Sequence, residues 1–207
     1  MDKRRFLKEA GAASLATGVL LASRSSQAQA PGGQVKVLIT YHSVTGNTEK
    51  MAEGVADGAG AVVGTTVNLK RVSEVTTEDL LSADAVIVGS PVYFGNVSGE
   101  VKVFLDNWFL KYGVFRDAKM RNKVAAAFVT GAAISNGKET AMLAIHAALL
   151  MNQMVIVSPG GALGAYGASA TTGPDSPGID EKKLESARAL GKRVAEFAAI
   201  LQRGSRT

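Results

Sequence analysis

A chain of 207 residues with 46% hydrophobic and 20% charged positions can bury one substantial core and is too apolar for wholesale disorder. Its net charge of +5 does not mark a nucleic-acid binder, because the first 28 residues carry five basic against two acidic side chains and account for +3 of it. With no cysteine, the chain has no disulfide scaffold, thiol nucleophile or iron–sulfur site.

The N-terminus reads as an address. Residues 1–8 are basic, 10–22 are weakly apolar and rich in Ala and Gly, and Ser26-Gln27-Ala28 is a small-x-small cleavage pattern. That layout predicts a secretory signal over residues 1–28, a short leader over 29–34 and one domain over 35–202. The apolar run is shorter and milder than the roughly 20 residues a membrane span needs. Lys3-Arg4-Arg5-Phe6-Leu7-Lys8 resembles the twin-arginine export motif, with Lys3-Arg4 where the usual spacing to Phe puts the pair. Such a signal carries a folded, cofactor-loaded protein to the periplasm.

The mature part begins with a buried strand, Val35-Lys36-Val37-Leu38-Ile39-Thr40, which runs through a hydroxyl-rich turn at 43–48 into a helix. Met51, Ala52, Val55, Ala56 and Ala59 share one face of that helix, away from Glu49, Lys50, Glu53 and Asp57. A strand feeding a helix N-terminus leaves N–H groups unpaired at the positive end of the helix dipole, which suits an anion such as phosphate.

Strand character returns at 65–70, and a short capped helix follows at 77–81. Asp84-Ala85-Val86-Ile87-Val88-Gly89 is the continuous apolar run of a strand buried on both faces. A loop at 90–99 leads to a helix with Val101, Phe104, Leu105 and Trp108 on one side. Next come a strand at 123–129, a loop at 130–137, a helix at 138–151 so apolar that it must be largely buried, and a short last strand at 154–158. A Gly- and Ala-rich loop at 159–178 precedes an amphipathic helix from Asp180. Five strands alternating with helices predict an α/β fold whose parallel sheet is covered on both faces. Ligands of such sheets sit at the carboxyl ends of the strands, so the loops at 41–48, 90–99 and 130–137 are expected to converge.

These residues carry a resemblance. Tyr41-x-Ser43-x-x-Gly46-x-Thr48 resembles the flavodoxin phosphate-loop signature, and Pro91-Val92-Tyr93-Phe94-Gly95-Asn96-Val97-Ser98-Gly99 followed by Phe104-Leu105-Asp106 resembles the second flavin loop. That second loop, with Met154-Val155-Ile156-Val157 and Tyr166-Gly167-Ala168, is similar to the NAD(P)H:quinone oxidoreductases called tryptophan-repressor-binding proteins. The resemblance implies a flavodoxin-like three-layer sandwich, with five parallel strands in the order 2-1-3-4-5, and FMN as cofactor. It implies that Ser43, Val44, Thr45, Gly46, Asn47 and Thr48 hold the phosphate and that Pro91, Val92, Tyr93, Phe94, Gly95 and Asn96 support the isoalloxazine. Thr130, Gly131 and Ala132 would close the far side. The implied activity is two-electron transfer through flavin N5 from NAD(P)H to a quinone, and the resemblance admits a homo-oligomer. No residue is assigned a catalytic role. The chain departs from those enzymes at Thr40, in the less Gly-rich loop at 130–137, and at Met151 and Asn152, where they carry a His pair.

Other residues have plainer readings. Trp108 and His146 are expected in the core, His42 has no assigned role, and Tyr112 ranks equally as core, surface or substrate-stacking group. The His and carboxylate residues show no metal-ligand spacing, and no Gly-x-Ser-x-Gly elbow supports hydrolysis. A flavodoxin-type electron carrier without small-molecule turnover is the alternative function, and a flavin-free binding protein is a third.

Overall fold

The computed structural model describes residues 34–173 and 178–205. The signal assigned to residues 1–28 and all of the leader except Gln34 lie outside the described residues. Strands are β1 (Val35–Tyr41), β2 (Thr65–Arg71), β3 (Ala85–Tyr93), β4 (Asn96–Val97), β5 (Val124–Gly131), β6 (Val155–Ile156) and β7 (Ala168–Thr171). Helices are α1 (Asn47–Gly60), α2 (Thr77–Ser82), α3 (Gly99–Leu110), α4 (Lys138–Met151) and α5 (Glu181–Gly204).

Five parallel strands pair in the order β2-β1-β3-β5-β6, which is the order expected from the resemblance. Side chains alternate across each strand. Val35, Val37, Ile39 and Tyr41 of β1 join Ala85 and Ile87 of β3 beneath α1 and α5. Leu38, Val86 and Val88 point the other way, onto Leu80 of α2, Phe104 and Trp108 of α3, and Ile145 and Leu149 of α4. Both faces of the central strands are therefore dry, which is why their sequence reads as an unbroken apolar run.

The sheet has seven strands rather than five. One addition is β4, which folds back antiparallel on the end of β3 with Tyr93 opposite Asn96 and Val92 opposite Val97. Phe94 and Gly95 make the two-residue connection with φ of 50° and 79°, the doubly left-handed geometry that matches the twist of a tight hairpin. The other addition splits the fifth strand. β6 pairs with Val124 and Ala125, β7 pairs with residues 128–131, and the chain between them leaves the sheet at Ser158-Pro159-Gly160-Gly161. Proline has no N–H for the ladder, and Gly160 and Gly161 take φ of 87° and 55°, so the strand cannot run straight on.

The helix at 138–151 is less buried than its composition predicts. Ala141, Met142, Ile145 and Leu149 of α4 are buried, but Leu143, Leu150 and Met151 are 49%, 58% and 67% exposed. A helix lying on a sheet covers one stripe of its surface, so apolar residues beyond that stripe face outward. The end of α4 also lies far from the three loops. Asn122 N–H donates to Gln153 O and Val155 N–H to Lys123 O, which puts Met151 and Asn152 at the amino ends of the strands.

Candidate functional site

At the carboxyl edge, β1 ends at Tyr41 and the chain turns through residues 42–46 into α1. Gly46, at φ 82°, takes the left-handed conformation that lets this turn close, and no side chain caps the helix that follows. The contrast with other helices is informative. Thr76, Ser98 and Asp180 accept from the N–H groups of Asp79, Val101 and Lys183 and so cap α2, α3 and α5. Among the described residues, only α1 and α4, which both open at this edge, start from a left-handed glycine without a side-chain cap. Their first-turn N–H groups and dipoles are thus left for another acceptor. Ser43 Oγ is buried there without a protein partner. Val44 and Thr45 stand exposed, and Asn47 Nδ2 donates to Thr45 Oγ1 at 3.1 Å.

The three loops meet as expected. Thr48 and Thr130 share a buried hydroxyl hydrogen bond of 2.8 Å, joining the first loop to the third. Gly137 backs directly onto Gly95, joining the third to the second, since a Cβ on Gly137 would lie 2.5 Å from Gly95 O. Pro91, Val92 and Tyr93 belong to β3, with Pro91 opposite Thr130, so Thr130 and Gly131 are also strand residues rather than loop. Buried Ser90 braces the second loop by donating to Pro91 O at 2.7 Å and accepting from Ser98 N–H at 3.0 Å. Gly95 and Asn96 complete the hairpin tip, and Asn96 Oδ1 accepts from Val97 N–H. Ala132 is exposed at the mouth of the third loop.

Around this junction stands a rim of unpaired apolar surface. Val44, Tyr93, Phe94 and Ile134 are 71%, 41%, 110% and 86% exposed. Each loop contributes to it, which is the setting of a flat aromatic ligand laid between them. A groove of about 600 Å³ leads away from Tyr93 along α3, lined by Glu100, Val103, Phe104, Asn107 and Tyr112. Tyr112 therefore lines a groove with its ring while its hydroxyl donates to Val75 O at 3.1 Å.

Three polar residues with no role assigned from the sequence shape the site. Arg71, at the end of β2, donates from Nη1 to Ser43 O and from Nη2 to both oxygens of Glu49. Tyr41 donates to Glu49 Oε1 at 2.6 Å, and burial, with that hydrogen bond next, pushes its hydroxyl up to about 12. Lys138, buried at the start of α4, donates to Ala133 O and Ile134 O at 2.6 and 2.8 Å and so pins the third loop. Burial holds its ammonium below the usual lysine range. A lone cation in a sequence carries no signal of such a role.

Trp108 and His146 lie in the core, as expected. Trp108 is 1% exposed, with the Phe104 ring edge-on at 5.9 Å. His42 Nε2 lies 3.5 Å from Glu100 Oε2. Among the described residues, no group of three or more His or carboxylate residues is arranged to hold a metal. His146 is buried in α4 with Nε2 unpartnered, and desolvation lowers its pKa from 6.5. The unfolded chain then takes the proton first as pH falls below about 6.5, so stability drops by about 1.4 kcal/mol per pH unit until the folded pKa is reached. His146→Leu is expected to remove that acid limb, which urea unfolding at pH 7.5 and 5.5 would measure. A limb of equal slope in the variant would place the acid sensitivity elsewhere.

A family model described as NADPH-dependent FMN reductase matches residues 34–167, from β1 to the residue before β7. The chain belongs to the NADPH-dependent FMN reductase family. In this family member the residues fit FMN, its cofactor: uncapped helix N-termini and an unpartnered buried hydroxyl suit the phosphate, and the apolar rim suits the ring. The chain is similar to a flavodoxin of Aquifex aeolicus, 38% identical over 176 residues, covering 82% of this chain and 90% of that protein. An NAD(P)H dehydrogenase (quinone) of Geotalea uraniireducens is 32% identical over 208 residues, covering 82% of this chain and 100% of that protein. The solved flavodoxin, WrbA-like protein of Agrobacterium tumefaciens superposes with a TM-score of 0.66 at 27% identity, covering 80% of this chain and 98% of that one.

Proposed function

We propose that this chain is an FMN-dependent oxidoreductase that passes two electrons from NAD(P)H to a quinone. The observation that carries the reading is the convergence of three loops into a cradle with an anion pole at α1 and an apolar rim at Val44, Tyr93, Phe94 and Ile134. Several relatives named NAD(P)H dehydrogenase (quinone), at 31–33% identity, support it. When bound, FMN supplies reversible two-electron chemistry. In this reading the backbone and hydroxyl groups of Ser43, Val44, Thr45, Gly46, Asn47 and Thr48 hold the phosphate without a cationic side chain. Pro91, Val92, Tyr93, Phe94, Gly95 and Asn96 orient the ring and shield it from water, while Thr130, Gly131 and Ala132 close its far side. Anaerobic mixing of purified, flavin-loaded protein with NADPH and then a quinone tests the activity. Bleaching by NADPH and recovery with quinone are expected; a flavin that stays oxidised would overturn the donor.

The relative named flavodoxin gives the second reading, an electron carrier without small-molecule turnover. Redox titration separates the two: one two-electron wave favours the reductase, two one-electron waves the carrier. The reading extends to a homo-oligomer, supported by the apolar side chains that α3 and α4 expose at Phe109, Leu110, Leu150 and Met151, and light scattering on the purified protein tests it. It also extends to export of a 35–202 domain to the periplasm behind a cleaved signal at 1–28 and a leader at 29–34, supported by the basic and apolar N-terminal layout. Mass spectrometry of the mature protein is expected to find Gln29 first, and a cytoplasmic protein retaining Lys3 to Lys8 would overturn it.

A further inference from the structure

We propose that Arg71 is the positioning residue of the phosphate loop, setting its shape before FMN arrives and keeping the carboxylate of Glu49 out of it. This rests on the assignment of the loop at 43–48 to the FMN phosphate. Arg71 lies opposite Tyr41 in the β1–β2 register, so the β2 strand delivers it to the base of the loop. Its Nη1 reaches Ser43 O at 2.9 Å, and its Nη2 reaches the Glu49 oxygens at 2.9 and 2.8 Å. The guanidinium also lies 5.4 Å from the centre of the Tyr41 ring, whose hydroxyl donates to the same Glu49 Oε1.

Two consequences follow from elementary geometry and charge. A trans peptide points its carbonyl and the next N–H in opposite directions, so tying Ser43 O to Arg71 aims Val44 N–H away from Arg71. That presets the first donor of the loop. Glu49 sits in the first turn of α1, where its negative charge favours the bare helix but opposes a phosphate dianion at the same end. Arg71 counters the charge of that carboxylate and, with the Tyr41 hydroxyl that donates to it, holds it against the ends of β1 and β2. The anion pole thus keeps its N–H donors and loses its competing charge. Arg71 serves the phosphate through Ser43 and Glu49.

Comparing FMN with riboflavin tests this, because riboflavin carries the same ring without the phosphate. Binding to apoprotein is read by quenching of flavin fluorescence. Arg71→Ala is expected to weaken FMN by roughly tenfold, the size expected for a partly exposed charge-assisted pair plus a backbone bond, while riboflavin affinity stays within twofold. Arg71→Ala with Glu49→Gln is expected to recover part of that loss, since the freed like charge is gone. Equal weakening of both flavins, or no weakening of FMN, would overturn the proposal. If Arg71→Ala does not fold, Arg71→Lys serves instead, because an ammonium keeps the charge but lacks the fork that spans Ser43 O and Glu49. FMN weakened about threefold with riboflavin unchanged supports the proposal, and wild-type FMN affinity in that variant would overturn it.

Discussion

Gly137→Ala is expected to weaken FMN binding by about a hundredfold while leaving most of the fold intact. Gly137 has φ 87° at the start of α4, where a β-carbon costs about 1–2 kcal/mol in backbone strain alone. That carbon would also lie 2.5 Å from Gly95 O and 2.6 Å from Gly95 Cα. Both are backbone atoms of the hairpin tip and cannot swing aside as a side chain does. The second and third loops must therefore separate, which opens the walls of the ring site and frees Phe94 and Ile134 from their common rim. Fluorescence titration of the apoprotein with FMN measures the loss, with circular dichroism as the check on folding. A dissociation constant within threefold of wild type would show that the ring site does not depend on this contact.

Gly191→Val is expected to be the most destabilising change outside the site. Helix α5 lies across α1 so closely that a Cβ at Gly191 would fall 1.9 Å from Val55 O and 2.9 Å from Ala59 N. The approach is reciprocal, for a Cβ at Gly58 would meet Arg188 O at 2.0 Å. Overpacking typically costs 1–3 kcal/mol when side chains can adjust, and here the obstacle is backbone. A loss of about 3 kcal/mol or more is expected in urea unfolding, because the helices must move apart and uncover Leu190 and Val194. A shift below about 1 kcal/mol would mean that α5 slides along α1 rather than away from it.

Much of this molecule is legible in the order of its residues. The run at 84–89 announces a strand with two dry faces, and the structure sorts its alternate side chains between the two cores. The hydroxyl-rich turn before α1 is likewise a local feature, whereas the stretch at 90–99 reads only as a loop and its hairpin at Phe94 and Gly95 emerged with β4. Other parts escaped. Ala168-Ser169-Ala170-Thr171 has no bulky apolar residue and a single β-branched one to mark a strand, and it becomes β7 because residues 128–131 of β5 offer it an edge. The apolar surplus of α4 looked like burial because periodicity is lost when nearly every position is apolar.

What the sequence by itself determined is the sheet's five parallel segments, their helices and the hydroxyl-rich turn that opens α1. These depend on neighbours within a few positions, whose backbone preferences and spacing are written in order along the chain. Only the tertiary structure decided that Thr48 meets Thr130 across 82 positions, that Gly137 backs onto Gly95, and that Arg71 reaches Ser43 across 28. The reason is register. Which distant side chain faces the site is set by how strands align and how closely helices approach, and a single cation or glycine carries no mark of that in its own neighbourhood.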